Sequence, residues 1–168
     1  MNDFTIVGID PGSRNLGIVI LSGAQVTYAK VWDLKGPRKK GTWKTATKTL
    51  ERKIEEECLD GILNSRKTRI FVEGGQMGNI NNGIEAWIRG RYRNSVSVCK
   101  RTYCPEACRG NYEKNKRAAV ELTQPTWEEL RERNPLWSCP EKKLNHIADA
   151  LLIVKWVERR GLGFLETN

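Results

Sequence analysis

Apolar residues in the first part of the chain fall into three short runs separated by turn residues. Residues 4–9 (Phe-Thr-Ile-Val-Gly-Ile) are apolar and partly β-branched, and Asp10-Pro11-Gly12-Ser13 halts them, so a strand ends at Asp10. Gly17 to Leu21 resumes the run, and after Ser22-Gly23 residues 25–32 alternate as a half-buried strand does. Three strands joined by tight turns predict an antiparallel meander. The basic stretch after Asp33 reads as a loop. From about Thr45, the positions Leu50, Ile54, Cys58 and Ile62 recur every four residues with charge between them, which predicts one amphipathic helix. Residues 69–73 form a short buried strand stopped by Gly74-Gly75, and a Gly- and Asn-rich loop runs on to Gly83.

The second half predicts a helix over 84–93, a fifth strand over 95–99 and helices over 112–122 and 127–133. Pro125 separates the last two, and Thr126 is the N-cap of the later one. A final helix spans about 143–159. This order predicts an α/β fold, a five-stranded mixed sheet flanked by helices, in a single domain over 1–168.

Composition narrows the class. A chain of 168 residues buries roughly 70% of its unfolded surface, enough to fold without disulfides or structural metals. No apolar run reaches the roughly 18 residues of a membrane span, so no membrane association is expected. The N-terminus lacks the basic and apolar regions of a signal peptide, and an odd set of five cysteines reads as reduced thiols. Both point to an intracellular protein that is not secreted. The net charge of +9 is clustered. Residues 35–53 carry eight basic side chains, Lys39 and Lys40 among them, against the single acid Glu51. Residues 87–101 carry Arg89, Arg91, Arg93, Lys100 and Arg101 with no acid, interleaved with Trp87 and Tyr92. A solvated basic face would explain either cluster alone. Two together favour nucleic acid, because affinity from counterion release grows with the phosphates neutralised.

Two acids stand at strand ends, Asp10 and Glu73, and they lie side by side if their strands are neighbours. His146 and Asp149 are three apart on the last helix and share a face. Asp10 before Pro-Gly also suits a turn former, Glu73 a salt bridge and His146 an exposed helix position. Asp149, set among Ala148, Ala150 and Leu151, needs a partner. Converging carboxylates repel unless a divalent cation lies among them, and hard cations such as Mg2+ or Mn2+ take oxygen ligands.

The segments Gly8-Ile9-Asp10-Pro11-Gly12-Ser13-Arg14-Asn15-Leu16-Gly17, Val72-Glu73 and His146-Ile147-Ala148-Asp149-Ala150-Leu151 resemble, in order and spacing, the active-site segments of RuvC-type Holliday-junction resolvases. These enzymes have the ribonuclease H-like fold, and the compact size and basic stretch are similar to their poxvirus-type viral branch. The resemblance implies a homodimer acting in DNA recombination and repair. It makes paired nicks in four-way junctions with two Mg2+ or Mn2+ ions per site. It implies that Asp10, Glu73, His146 and Asp149 bind metal, His146 standing where many members have a fourth carboxylate. It also implies a functional lysine, best matched by Lys116 with Lys114 as second choice. DNA contacts are expected from Arg14, Asn15, Lys39, Lys40, Gln76, Asn79, Arg89, Arg91, Arg93, Lys114 and Arg117. The stretch from Gln76 to Gly83 is expected to be a flexible element entering the junction centre. If viral, the protein would work in host cytoplasm, nucleus or viral factory, and if bacterial, in the cytoplasm.

Three other readings compete. Sugar-kinase and actin-like ATPases share the Asp-Xaa-Gly turn, but they need a second similar domain. The same carboxylates would equally serve a ribonuclease H-like nuclease acting on RNA:DNA hybrids or other branched DNA. A non-catalytic zinc-stabilised nucleic-acid-binding module would use Cys99, Cys104, Cys108 and Cys139, although only Cys104 and Cys108 are closely spaced.

Overall fold

The computed structural model describes residues 4–12, 14–34, 42–75 and 78–161. Strands β1 (Thr5–Pro11), β2 (Asn15–Ser22) and β3 (Gln25–Asp33) form the expected meander. Helices α1 (Trp43–Glu56) and α2 (Asp60–Leu63) lead to β4 (Thr68–Glu73), and α3 (Asn79–Arg91) leads to β5 (Ser95–Val98). A short α4 (Lys100–Tyr103), a 3-10 turn Pro105–Cys108, the long α5 (Tyr112–Arg133) and α6 (Leu144–Arg160) complete the chain. The sheet order is β3-β2-β1-β4-β5, with β4 parallel to β1 and β5 parallel to β4. This is the expected five-stranded mixed sheet.

Strand periodicity divides the core in two. Val7 and Ile9 of β1, Ile18 and Ile20 of β2 and Ile70 and Val72 of β4 pack with Leu50 and Ile54 of α1 and Ile84 and Ile88 of α3. Ile6, Val19 and Phe71 face the other way, onto α5 and α6. Both faces are covered, which is why β1, β2 and β4 read as nearly unbroken apolar runs rather than alternating ones. By the same period of two, Asp10 shares its face with Ile6, and Glu73 shares its face with Phe71. Both acids therefore face α6.

Three local expectations are corrected. The helix that begins at Trp43 ends at Glu56 instead of running through Cys58 and Ile62. The amide of Leu59 donates to Ile54 O and that of Cys58 to Glu55 O, both at 3.0 Å, with Cys58 at φ 55°. This paired closure buries Leu59 against Ile54 and leaves Cys58 and Ile62 exposed. Residues 112–133 form one helix through Pro125, and Thr126 caps nothing. Ala119, Thr123 and Leu130 are buried on both sides of the proline, so packing holds the helix where propensity would break it. Residues 79–83, expected in a loop, are the first turns of α3. A Cβ on Gly83 would stand 2.6 Å from Trp43 Cβ, so glycine lets α3 approach α1 there. The short α4 and the 3-10 turn after β5 were not foreseen.

Candidate active site

Parallel pairing in the register Ile9 to Val72 carries the next residues, Asp10 and Glu73, to one end of the sheet. Helix α6 crosses above them because two glycines leave room. A Cβ on Gly17 would stand 2.0 Å from His146 O, and one on Gly8 would stand 2.4 Å from Ala150 O. That approach places Asp149 beside the strand ends. One ligand oxygen from each of Asp10, Glu73 and Asp149 lies within 4.8 Å of the other two, and all three residues are buried.

Three carboxylates this close cannot all stay charged without cations. Burial, then repulsion from Asp10, pushes the Asp149 carboxyl up from 3.8 to about 7, against the pull of Lys100. Lys100 Nζ lies 2.6 Å from Asp149 Oδ1. Burial works against its charge, but Asp149, Glu73 and Asp10 hold its pKa above the ordinary value. The Tyr103 hydroxyl donates to Glu73 Oε2. Burial and the neighbouring Glu73 carboxylate push the phenol well above its usual pKa, so it remains a donor. His146 Nδ1 is 2.9 Å from Asp10 Oδ2 and fixes that carboxylate from α6.

The carboxylates open into a cleft of about 710 Å3. Arg14, Lys100, Arg101, Lys116 and Lys142 line it, together with Asn15, Asn81 and Asn145. The oxygens thus form an acidic floor beneath basic walls. This donor set suits a hard divalent cation, since all three buried ligands are carboxylates and the ammonium of Lys100 already shows a cation held against them.

Several sequence expectations meet here. Asp10, Glu73, His146, Asp149, Lys116, Arg14 and Asn15 all line the cleft. Lys116 Nζ lies 4.0 Å from the centre of the Tyr112 ring and 3.7 Å from Glu113 Oε1. Arg14 is exposed and lies 3.3 Å from Asp33 Oδ2. Lys114, Arg117, Asn79 and Arg89 are exposed outside its lining. Arg91, the last residue of α3, and Arg93, just before β5, stand at the opposite end of the sheet. Lys39, Lys40 and Gln76 lie outside the described residues. The four-thiol zinc site does not form. Among the described residues, only the three acids bring three or more metal-ligating side chains together, and the described cysteines are free.

Sequence reasoning missed the site roles of Lys100 and Tyr103. The parallel pairing of β4 and β5 was the available signal: it puts the residues after Val98 beside Glu73, and Lys100 and Tyr103 follow there, three apart on one helical turn.

The chain has an α/β, ribonuclease H-like fold. Within that class it is the fold of RuvC-type resolvases. A Thermus thermophilus RuvC structure matches over 94% of this chain and 97% of its own, at a TM-score of 0.52 and 16% identity. The structure of T. thermophilus RuvC in complex with a Holliday junction substrate matches with the same coverage, at 0.53 and 17%. No family model and no curated protein matches the chain. Among the described residues, no helix is long and apolar enough to cross a membrane.

Proposed function

We propose that the protein is a metal-dependent endonuclease that resolves four-way DNA junctions by paired nicks, acting as a homodimer. One observation carries the reading: three buried carboxylates from β1, β4 and α6 converge at the floor of a cleft with basic walls. That pairing of charge serves a substrate that is itself a polyanion and a reaction that needs cations at a phosphate. The likeness to RuvC bound to a junction supports the choice of substrate.

Asp10, Glu73 and Asp149 would hold the divalent ions, with His146 as fourth ligand. When bound, a pair of Mg2+ or Mn2+ ions supplies Lewis acidity at the phosphate and makes water a competent nucleophile. The chain does the rest. Tyr103 holds the Glu73 carboxylate and His146 the Asp10 carboxylate, fixing their orientation. Lys116 at the cleft wall offsets negative charge that develops on the phosphate oxygens. Lys100 neutralises Asp149 when no other cation is near. Arg14 and Asn15, which line the cleft, would grip the backbone beside the scissile phosphate, Asn79, Lys114 and Arg117, exposed outside it, would meet the backbone farther along, and base edges need not be read. Two cuts on opposite strands require two sites related by a two-fold axis, which a homodimer provides.

The test compares nicking of a four-way junction, a flap, an RNA:DNA hybrid and linear duplex under Mg2+ or Mn2+. The junction is expected to be cut in preference to all three others. Preference for the hybrid would instead make the protein a ribonuclease H-like enzyme acting on RNA.

A further inference from the structure

At the end of the sheet opposite the carboxylates, the loop before β4, the last turn of α3 and the start of β5 enclose an open cleft of about 750 Å3. Four arginines line it, Arg66, Arg69, Arg91 and Arg93, with Asn64 and Asn94 beside them, and no carboxylate does. We propose that this cleft is a second phosphate-binding site, which grips the phosphodiester backbone of a duplex arm of the DNA cut at the carboxylates. The proposal rests on the nuclease reading above.

Arg66 and Arg93 are not accounted for by the fold. Arg91 has structural partners: it is 3.0 Å from Glu51 Oε1 and 3.4 Å from Asp60 Oδ1, and it lies over the rings of Trp87 and Tyr92. A cation also suits the C-terminus of α3, where Arg91 stands. Neither reason reaches the others. Among the described residues, none of Arg66, Arg69 and Arg93 pairs with a carboxylate, and Arg66 and Arg93 are exposed. Gathering unpaired guanidinium groups in one concave surface raises its potential, and this is repaid only when an anion is held.

The cleft is also preformed. Asn94 Nδ2 donates to Leu63 O at 3.0 Å and to Thr68 O at 2.9 Å, pinning the loop that carries Arg66. Arg69 Nη1 donates to Arg66 O and Thr68 O, both at 3.1 Å, which fixes that guanidinium at the cleft wall. Guanidinium forks match phosphate oxygens in pairs, so Arg rather than Lys is the residue type for this ligand.

Distance selects a duplex over a lone anion. From Thr68 to Glu73 the strand makes five steps, about 17 Å at roughly 3.3 Å each. That span matches about five base pairs at roughly 3.4 Å along a strand. The outer strand β5 runs between the two sites and, among the described residues, has no further strand beyond it. A duplex lying along β5 would meet the carboxylates at one phosphate and the arginines about half a helical turn on.

The experiment measures binding of the full chain to a four-way junction and to a plain duplex across a salt series. Wild type is compared with Arg66→Glu/Arg93→Glu, with the milder Arg66→Gln/Arg93→Gln, and with Arg133→Glu/Arg159→Glu as a charge-matched control; melting curves verify that each folds. Losing two phosphate contacts should lower the log-log salt slope by about 1.8, so that the variant's deficit in affinity grows by roughly sixtyfold from 1 M down to 0.1 M salt, and the control should keep the wild-type slope. The glutamine pair should reproduce most of the loss. Unchanged slopes in both cleft variants, or an equal loss in the control, would overturn the proposal. So would pyrophosphate binding that needs Arg66 and Arg93 while DNA binding does not, since the cleft would then serve a small phosphate. A wild-type protein that nicks no junction would defeat the nuclease reading, and the duplex slopes would still judge the cleft.

Discussion

Asp10, Glu73 and Asp149 differ from the other described acids in being buried together, and their individual replacement should separate chemistry from affinity. Asp10→Asn or Glu73→Gln is expected to lower junction nicking at least roughly a thousandfold while leaving junction binding near wild type, because the metals are lost but the basic walls remain. Gel assays of both activities check this, and retained nicking would remove that residue from the site. Asp149 adds a pH signature. Its carboxyl rises to about 7 in the fold from 3.8, so between those values the folded protein holds a proton that the unfolded chain releases. Its stabilising effect is full below the unfolded value and lost as pH rises through the folded one. The metal-free protein should therefore melt at a higher temperature at pH 5.5 than at pH 8, and Asp149→Asn should flatten that difference. Added Mg2+ or Mn2+ should raise the melting temperature at pH 8. Thermal melts in chelator and in metal would contradict this if they were independent of both. His146 is a softer ligand than a carboxylate and removes one negative charge from the site. Nicking should be faster with Mn2+ than with Mg2+, and His146→Asp should shift the preference toward Mg2+. An unchanged preference in rate measurements would mean that His146 serves only to hold Asp10.

Elements position these residues through close backbone approach, which side-chain deletion would not reveal. Gly17→Ala puts a methyl group 2.0 Å from His146 O, where neither strand nor helix can yield cheaply. It should destabilise the protein by more than about 3 kcal/mol or lift the start of α6 off the sheet. Gly90→Ala, in α3 with nothing within 4 Å, should instead stabilise by about 0.5–1 kcal/mol. Denaturant midpoints of the two variants test the contrast. The carboxylate floor was legible in the sequence because each strand acid ends an apolar run, and period-two alternation sends both to one face. Asp149 was legible as a charge in an apolar helix. Lys100 was not, because a lysine inside a basic cluster carries no local mark, and only the pairing of β5 with β4 brings it to Asp149. The ends of α1 and the continuity of α5 were hidden for a related reason. A cysteine at positive φ and a proline inside a helix are both held by burial of their neighbours, which local propensity does not contain.

At the scale of the molecule, the sheet separates two basic regions, one around the carboxylates and one about 17 Å away across β4. Among the described residues, basic side chains thus gather at two separate places, and on the proposed reading each would meet the phosphates of one DNA arm. Paired incision adds a requirement on assembly. Sedimentation at micromolar concentration should show a dimer, either free or on junction DNA, and a monomer under both conditions would count against coordinated nicking. Paired cutting of a junction is read most directly from a supercoiled plasmid that extrudes a cruciform, incubated with the protein and Mg2+ or Mn2+. Two nicks within the lifetime of one complex convert it to a linear product. Linear product is expected from the cruciform plasmid, none from the same plasmid without the inverted repeat, and none with Asp10→Asn. Cleavage that ignores the cruciform, or that survives Asp10→Asn, would contradict junction resolution at these carboxylates.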